Sequence, residues 1–412
     1  MPAAADPPIP MRALLAGARR KQPAMLNLIR QLVRAESPSV DKAAVDACVA
    51  LAAERAKALG GRVKLHRSAA ADGFGDALEA RFGPNPSKVT GGKVEGEDRS
   101  AERRILLLGH LDTVWPVGTL KTMPCRLAEG RLWGPGALDM KAGVAMALTA
   151  IEILTEANVL NREVVLLLTG DEEVGSPVSR PVIERLASEC AAVYVLEPAQ
   201  VLAYKTARKG TGNWRIDVTG VAAHAGVDFE KGANAIRELA RVVETVSGWT
   251  DIKCGLTVSV GLAGGGSKTN VIPAEAWAEV DVRIARRADG ERITRKFAAL
   301  KAIDERCGLT VTGGVNRPPM ERNRATVRLY RQARALAAEL GFALEEASTG
   351  GASDGNFTSA LGIPTLDGMG AVGEGAHAGH ESIMIEHLAP RTALLAGMMA
   401  GCDPVGSPDT LR

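Results

Sequence analysis

At 412 residues the chain exceeds the size at which a single hydrophobic core keeps growing, so two domains are expected. Its 46% apolar and 24% charged content is ordinary for a soluble globular protein, and with only 3% aromatic residues the core should be aliphatic. The 50 basic and 48 acidic residues leave a net charge of +2, which gives no case for a nucleic-acid or membrane-surface partner.

Residues 1 to about 22 form a Pro/Ala-rich tail without the apolar stretch of a signal peptide, because Met11-Arg-Ala-Leu-Leu-Ala-Gly-Ala-Arg-Arg20 is broken by charge. No run reaches the ~18 apolar residues of a membrane helix. Cys48, Cys125, Cys190, Cys254, Cys307 and Cys402 are scattered with no CxxC pair, as in a reduced, cytoplasmic protein. Helical spacing follows at Met25–Arg34 and Ala43–Leu59, separated by Ser37-Pro-Ser. Arg62–His66 and Ala77–Phe82 alternate like half-buried strands, and the polar, breaker-rich stretch between Gly83 and Arg103 reads as a long mobile loop without identifiable chemistry.

Arg104-Ile-Leu-Leu-Leu-Gly-His-Leu-Asp-Thr-Val114 is the stretch that organises the rest. Its unbroken apolar run predicts a strand buried on both faces of a parallel sheet. His110 and Asp112 follow where that strand ends, at the sheet edge where functional groups gather. Trp133-Gly-Pro-Gly-Ala-Leu-Asp139 is a glycine-rich turn that sets Asp139 ahead of a helix, Met140 to about Glu156. Two further apolar strands run into carboxylates: 163–170 into Asp171-Glu172-Glu173, and 191–196 into Glu197-Pro198.

After Glu197 the pattern changes to alternating strands at Val201–Thr206, Asn213–Gly220, Leu256–Gly261 and Ala276–Ile284, with helices at Gly232–Val246 and Asp289–Asp304. This predicts an α+β sandwich with one face of its sheet covered. A late glycine-rich segment, Gly368-Met-Gly-Ala-Val-Gly-Glu-Gly-Ala-His377, supplies one more imidazole.

Singly, each of these residues has a bland reading: a hydrogen-bonded histidine, a helix cap at Asp139, a solvated Glu172-Glu173 pair. Together they shift the odds, because several carboxylates converging on one sheet edge repel unless a cation compensates them. Imidazole and carboxylate without thiolate suit zinc, with cobalt or manganese as substitutes. Two ions about 3.5–4 Å apart sharing one carboxylate is a standard arrangement for activating water. Asp139 is placed to be that bridge. Spacing alone leaves His377 and His380 as rivals for the last ligand.

The chain resembles the di-zinc family of glutamate carboxypeptidase, acetylornithine deacetylase and aminoacylase. The match rests on Gly109-His-Leu-Asp-Thr-Val114, Gly134-Pro-Gly-Ala-Leu-Asp-Met-Lys-Ala-Gly143, Thr169-Gly-Asp-Glu-Glu-Val-Gly-Ser176, Leu196-Glu-Pro198, Gly350-Gly-Ala-Ser-Asp354 and Gly375-Ala-His377. The resemblance implies an α/β catalytic domain, with a mixed, largely parallel sheet flanked by helices, in two parts, 1–208 and 318–412. An inserted α+β lid and dimerisation domain, 209–317, would lie between them.

It further implies two zinc ions per subunit: His110 and Glu197 on one, Glu173 and His377 on the other, Asp139 between. Asp112 would fix the His110 ring and Glu172 would be the general base. The family's Gly-Ala-His followed four positions later by Glu, here Glu381, favours His377 over His380, which becomes a loop residue; His66 and His387 are then structural. His224 would reach the substrate carbonyl from the neighbouring subunit of a homodimer, with Asn270 as its companion. Lys209, Arg283, Arg317, Gly350, Gly351 and Ser353 are candidates for the substrate carboxylate, Arg283 weighed against an ion pair with Asp281 or Glu279.

Met140 and Glu197 depart from some members, which bears on transfer of substrate specificity. The implied activity is release of a C-terminal, glutamate-like amino acid from a peptide or N-acyl amino acid. An N-acyl amino acid deacylase is the alternative, and a non-catalytic binding protein on the same fold a remote one. A dinucleotide site is not expected, because Gly261-Leu-Ala-Gly-Gly-Gly266 has neither the spacing nor the following helix.

Overall fold

The computed structural model describes residues 9–84 and 104–401. The segment read as a loop after Gly83 lies, from residue 85 to 103, outside the described residues, as do the start of the tail and Cys402. The chain divides into two compact units, Met1–Thr206 with Arg322–Ser348 and Ser353–Arg412, and Ala207–Glu321 with Thr349–Ala352.

The first unit is built on a six-stranded sheet in the order Arg62–His66, Ala77–Phe82, Glu163–Thr169, Arg104–His110, Ala192–Val195, Thr365–Leu366. The last four pair in parallel, while Ala77–Phe82 runs antiparallel to both its neighbours. This is the mixed, largely parallel sheet that the family resemblance implies. Successive side chains enter two different cores. Ile105, Leu107, Val164, Leu166 and Leu168 pack with helices Met11–Arg34, Ala142–Glu156 and Leu388–Gly401. Leu106, Leu108, Val165, Leu167, Val193 and Val195 pack with Ile183, Leu186 and Phe357 on the opposite face. Each fully buried Leu or Val contributes about 1.5–3 kcal/mol, so the strand that carries His110 is anchored on both sides.

Helix Ala142–Glu156 is rich in alanine and lies against the sheet with buried residues all round. A Cβ on Gly143 would stand 2.0 Å from the Leu196 carbonyl oxygen, so only glycine lets the helix approach the segment that leads into Glu197.

The helix expected from Met25 in fact begins at Met11 and runs unbroken to Arg34 with Pro23 inside it. Its buried stripe of Met11, Leu14, Ala18, Met25, Leu28, Ile29 and Leu32 continues at helical spacing through the basic stretch that had read as tail. A second, antiparallel sheet of short strands joins Arg126–Ala128, Arg131–Trp133, Ser382–Met384 and Gly373–Glu374. Its register sets Ser382 opposite Trp133, which brings the His377 loop beside the Asp139 turn.

The second unit has a four-stranded antiparallel sheet, ordered Thr257–Gly265, Glu275–Ile284, Gly210–Thr219, Gly308–Arg317. Helices Ala235–Ser247 and Arg287–Ala298 close one face, where Trp214 stacks on Phe297 at 4.4 Å and Trp249 meets it edge-on. The last strand had not been read: its glycines and threonines hide the alternation of Leu309 and Val311.

Candidate active site

His110 closes its strand with a side chain 1% exposed. Its Nδ1 faces the Asp112 carbonyl oxygen at 3.0 Å and the Asp112 Oδ1 at 3.4 Å, which assigns the proton to that nitrogen. Nε2 is turned toward Asp139 Oδ1 at 3.3 Å and Glu197 Oε1 at 3.7 Å. Asp112 is wholly buried and accepts from the Ser39 hydroxyl at 2.6 Å and from the backbone N–H groups of Glu172 and Glu173. One carboxylate thus orients the ring and also holds the turn that carries both glutamates.

Asp139 lies in a turn, Ala137–Lys141, with its own backbone outside helical geometry and a cis peptide to Met140. Its two oxygens face different histidines: Oδ1 faces His110 Nε2, and Oδ2 faces His377 Nε2 at 3.3 Å. His377 also lies 3.1 Å from Glu173 Oε2 and is half exposed, held at a positive φ of 61° in a tight loop. His380, its rival by spacing, is exposed in the same loop. His66 bonds Glu79 at 2.7 Å, in keeping with a structural part.

Glu172 and Glu197 are 7% exposed. Ligand atoms of His110, Asp139 and Glu173 lie within 4.8 Å of one another, and so do those of His110, Glu172 and Glu197. Electrostatics demand positive charge here. Burial pushes the Asp139 carboxyl up, yet the two imidazoles hold it well below the usual carboxylate range. Hydrogen bonds to Asp139 and Glu173 push His377 up to about 10. A cluster of carboxylates that draws protons onto its histidines is suited to divalent cations, and the imidazole–carboxylate set fits zinc.

Residues 106–401 match the peptidase family M20/M25/M40. The chain belongs to this family. It is 28% identical over 400 residues to carboxypeptidase G2 of Pseudomonas sp. (strain RS-16), covering 94% of this chain and 91% of that one. It is also 28% identical over 323 residues to a succinyl-diaminopimelate desuccinylase of Cereibacter sphaeroides, covering 72% and 82%. Among solved structures, the aminopeptidase PepT of Bacillus cereus ATCC 10987 superposes with a TM-score of 0.74 at 24% identity, over 92% of this chain and 98% of that one. The Bacillus subtilis YXEP protein, a dinuclear metal binding peptidase of the M20 family, does so with a TM-score of 0.63 at 14% identity, over 93% and 98%. These structures bear on the fold. Family membership makes the chain a hydrolase of the metallopeptidase class.

In this M20 hydrolase the other sequence-derived candidates fall in the second unit, Ser353 apart. His224 and Asn270 are neighbours there: Ala225 N–H donates to the Asn270 carbonyl at 3.0 Å, and both residues are exposed. Lys209 donates its backbone N–H to the Thr349 carbonyl, beside the exposed Gly350 and Gly351. Arg317 ends its strand in a buried position. Arg283 pairs with Asp281 at 2.9 Å on the uncovered sheet face, the bland side of the alternative weighed for it. Ser353, in the first unit, is buried and donates to Asp367 at 2.7 Å.

Several residues that support this cluster are not evident from the sequence. Ser39 holds Asp112 from a remote segment. The buried ammonium of Lys141 donates to the Ala35 carbonyl, its pKa lowered by burial. Arg391, wholly buried and stacked on the Tyr204 ring, donates to the Gly368, Gly370 and Leu202 carbonyls, and Gly370 N–H donates in turn to the Glu197 carbonyl. Glu381 had entered only as a spacing mark; it binds the backbone of the Asp139 turn.

Proposed function

We propose that this M20 hydrolase is a zinc-dependent exopeptidase that releases a C-terminal, glutamate-like amino acid from a peptide or N-acyl amino acid. The observation that carries the reading is Asp139, whose two oxygens face His110 on one side and His377 on the other. With that geometry His110, Glu197 and Asp139 would hold one ion, and Asp139, Glu173 and His377 the second. Zinc at both positions would supply Lewis acidity and a water acidified toward neutrality.

Glu172, close to His110 and Glu197, takes a proton from the attacking water as its oxygen bonds the amide carbon. It then delivers that proton to the nitrogen as the C–N bond breaks. Asp112 keeps the His110 ring in the ligating tautomer throughout. His224, reaching in from the neighbouring subunit with Asn270 beside it, donates to the carbonyl oxygen as negative charge develops, a contribution of about 3 kcal/mol when well placed. Of the candidates for receiving the substrate carboxylate, Lys209, Arg317, Gly350 and Gly351 are favoured over Arg283, which pairs with Asp281, and Ser353, whose buried hydroxyl donates to Asp367.

The near full-length likeness to carboxypeptidase G2 supports the carboxypeptidase reading over the N-acyl deacylase, which the desuccinylase relatives favour. A homodimer through the second unit is supported by strand Thr257–Gly265, which pairs on one side only among the described residues and exposes Leu262, and by the exposed Ile236 and Ala240 on the adjoining helix. The five cysteines among the described residues are all free, which supports a cytoplasmic location, and no helix of the described residues is long and apolar enough to cross a membrane.

The test is hydrolysis of a panel of C-terminal glutamate peptides and N-acyl amino acids by the zinc-loaded protein. Turnover of the glutamate peptides supports the proposal. Turnover of N-succinyl or N-acetyl amino acids alone replaces it with the deacylase.

A further inference from the structure

Glu381 contributes no ligand atom to either cluster, yet it is wholly buried and its carboxylate is surrounded by N–H donors. Oε1 accepts from the Leu138 and Asp139 backbone at 2.8 and 3.0 Å, and Oε2 from the Gly136 backbone and the Trp115 indole, both at 2.9 Å. Its own backbone closes the loop that carries His377: Glu381 N–H donates to the Ala378 carbonyl at 2.9 Å, and its carbonyl accepts from Gly134 N–H at 3.2 Å. The same residue therefore grips the Asp139 turn with its head and the His377 loop with its backbone.

We infer that Glu381 is a positioning residue that aims the two oxygens of Asp139 at the two cation positions and fixes the distance between that bridge and His377. The inference rests on the two-ion reading proposed above. The chemistry is specific to a carboxylate. Both oxygens face only N–H groups, so an amide in either orientation would turn its NH2 toward two donors and find no acceptor. Glu381→Gln, although isosteric, should thus release the turn. Glu381→Asp keeps an acceptor-only head but withdraws it by one CH2, and should lie between.

The experiment is zinc titration of the apo protein against a chromophoric chelator, with amide hydrogen exchange on the same apo samples. For wild type, two zinc equivalents are expected. For Glu381→Gln, zinc affinity should fall by roughly 10–100-fold. In the same variant, exchange should rise across Gly136–Asp139 while the Arg104–His110 strand stays protected. Zinc binding by Glu381→Gln equal to wild type overturns the inference, as does a rise in exchange spread over the whole first unit. If Glu381→Gln does not fold, Glu381→Asp decides: weaker zinc with the apo melting temperature retained supports the inference, and unchanged zinc affinity overturns it. A wild type that binds fewer than two ions sinks the two-ion reading instead, and the exchange data on apo protein still decide whether Glu381 holds the turn.

Discussion

A histidine held at one ring nitrogen by a carbonyl and a carboxylate keeps its other nitrogen free to meet a cation, and His110 is held in that way. Its orienting partner is therefore exposed to a clean test. Asp112→Asn keeps the shape but has one acceptor oxygen where Asp112 uses two. Zinc affinity, read by chelator competition, is expected to fall ~10–100-fold. Glu172→Ala removes the proposed proton carrier and should lower kcat by ~10²–10⁴-fold while zinc content is kept; metal loss in that variant would make Glu172 a ligand. The convergence of His110, Asp139, Glu173 and Glu197 was legible because each follows an apolar strand or a glycine-rich turn, whereas preferring His377 to His380 needed the family resemblance. Ser39, Lys141 and Arg391 were not legible, since they act through contacts between segments far apart in sequence.

At the scale of elements, close approach decides where Glu197 stands. Gly143 lies under the Leu196 carbonyl, and a Cβ on Gly370 would come 2.2 Å from the same oxygen. Gly143→Ala should destabilise by about 1–3 kcal/mol and weaken zinc binding with it, as seen by urea unfolding and titration. Asp76 ties helix Lys42–Ala58 to the loop after Arg62–His66. It bonds Lys42 at 2.6 Å, Arg67 at 2.5 Å and the Ser68 N–H. Burial pushes its carboxyl up, but these partners hold it below its ordinary value of 3.8. A carboxyl depressed in the folded state stabilises above its unfolded value, and that stability is lost as pH falls through the folded one. Urea midpoints should therefore drop on acidification below about pH 4, and Asp76→Asn should flatten this limb while lowering the midpoint at neutral pH. The parallel strands were legible from their unbroken apolar runs. Helix Met11–Arg34 was read short because charge and Pro23 interrupt its sequence, although tertiary burial of one stripe carries it through.

For the whole molecule, the sequence pattern changes after Glu197 and the family resemblance implies an insert at 209–317, while the second compact unit is Ala207–Glu321 with the return segment Thr349–Ala352, too short and glycine-rich to be recognised in advance. If His224 serves the neighbouring subunit, two inactive variants can complement each other. Mixing Glu172→Ala with His224→Ala and allowing subunits to exchange should restore about one quarter of wild-type activity, because half the dimers carry one complete site; no recovery would place His224 within its own chain or outside catalysis. The central claim is that two ions share Asp139. It is tested most directly by anomalous diffraction at the zinc edge from crystals of the zinc-loaded protein. The account requires two peaks, one against His110 and Glu197 and one against Glu173 and His377, with Asp139 touching both. A single peak, or a pair that leaves Asp139 unligated, would contradict it.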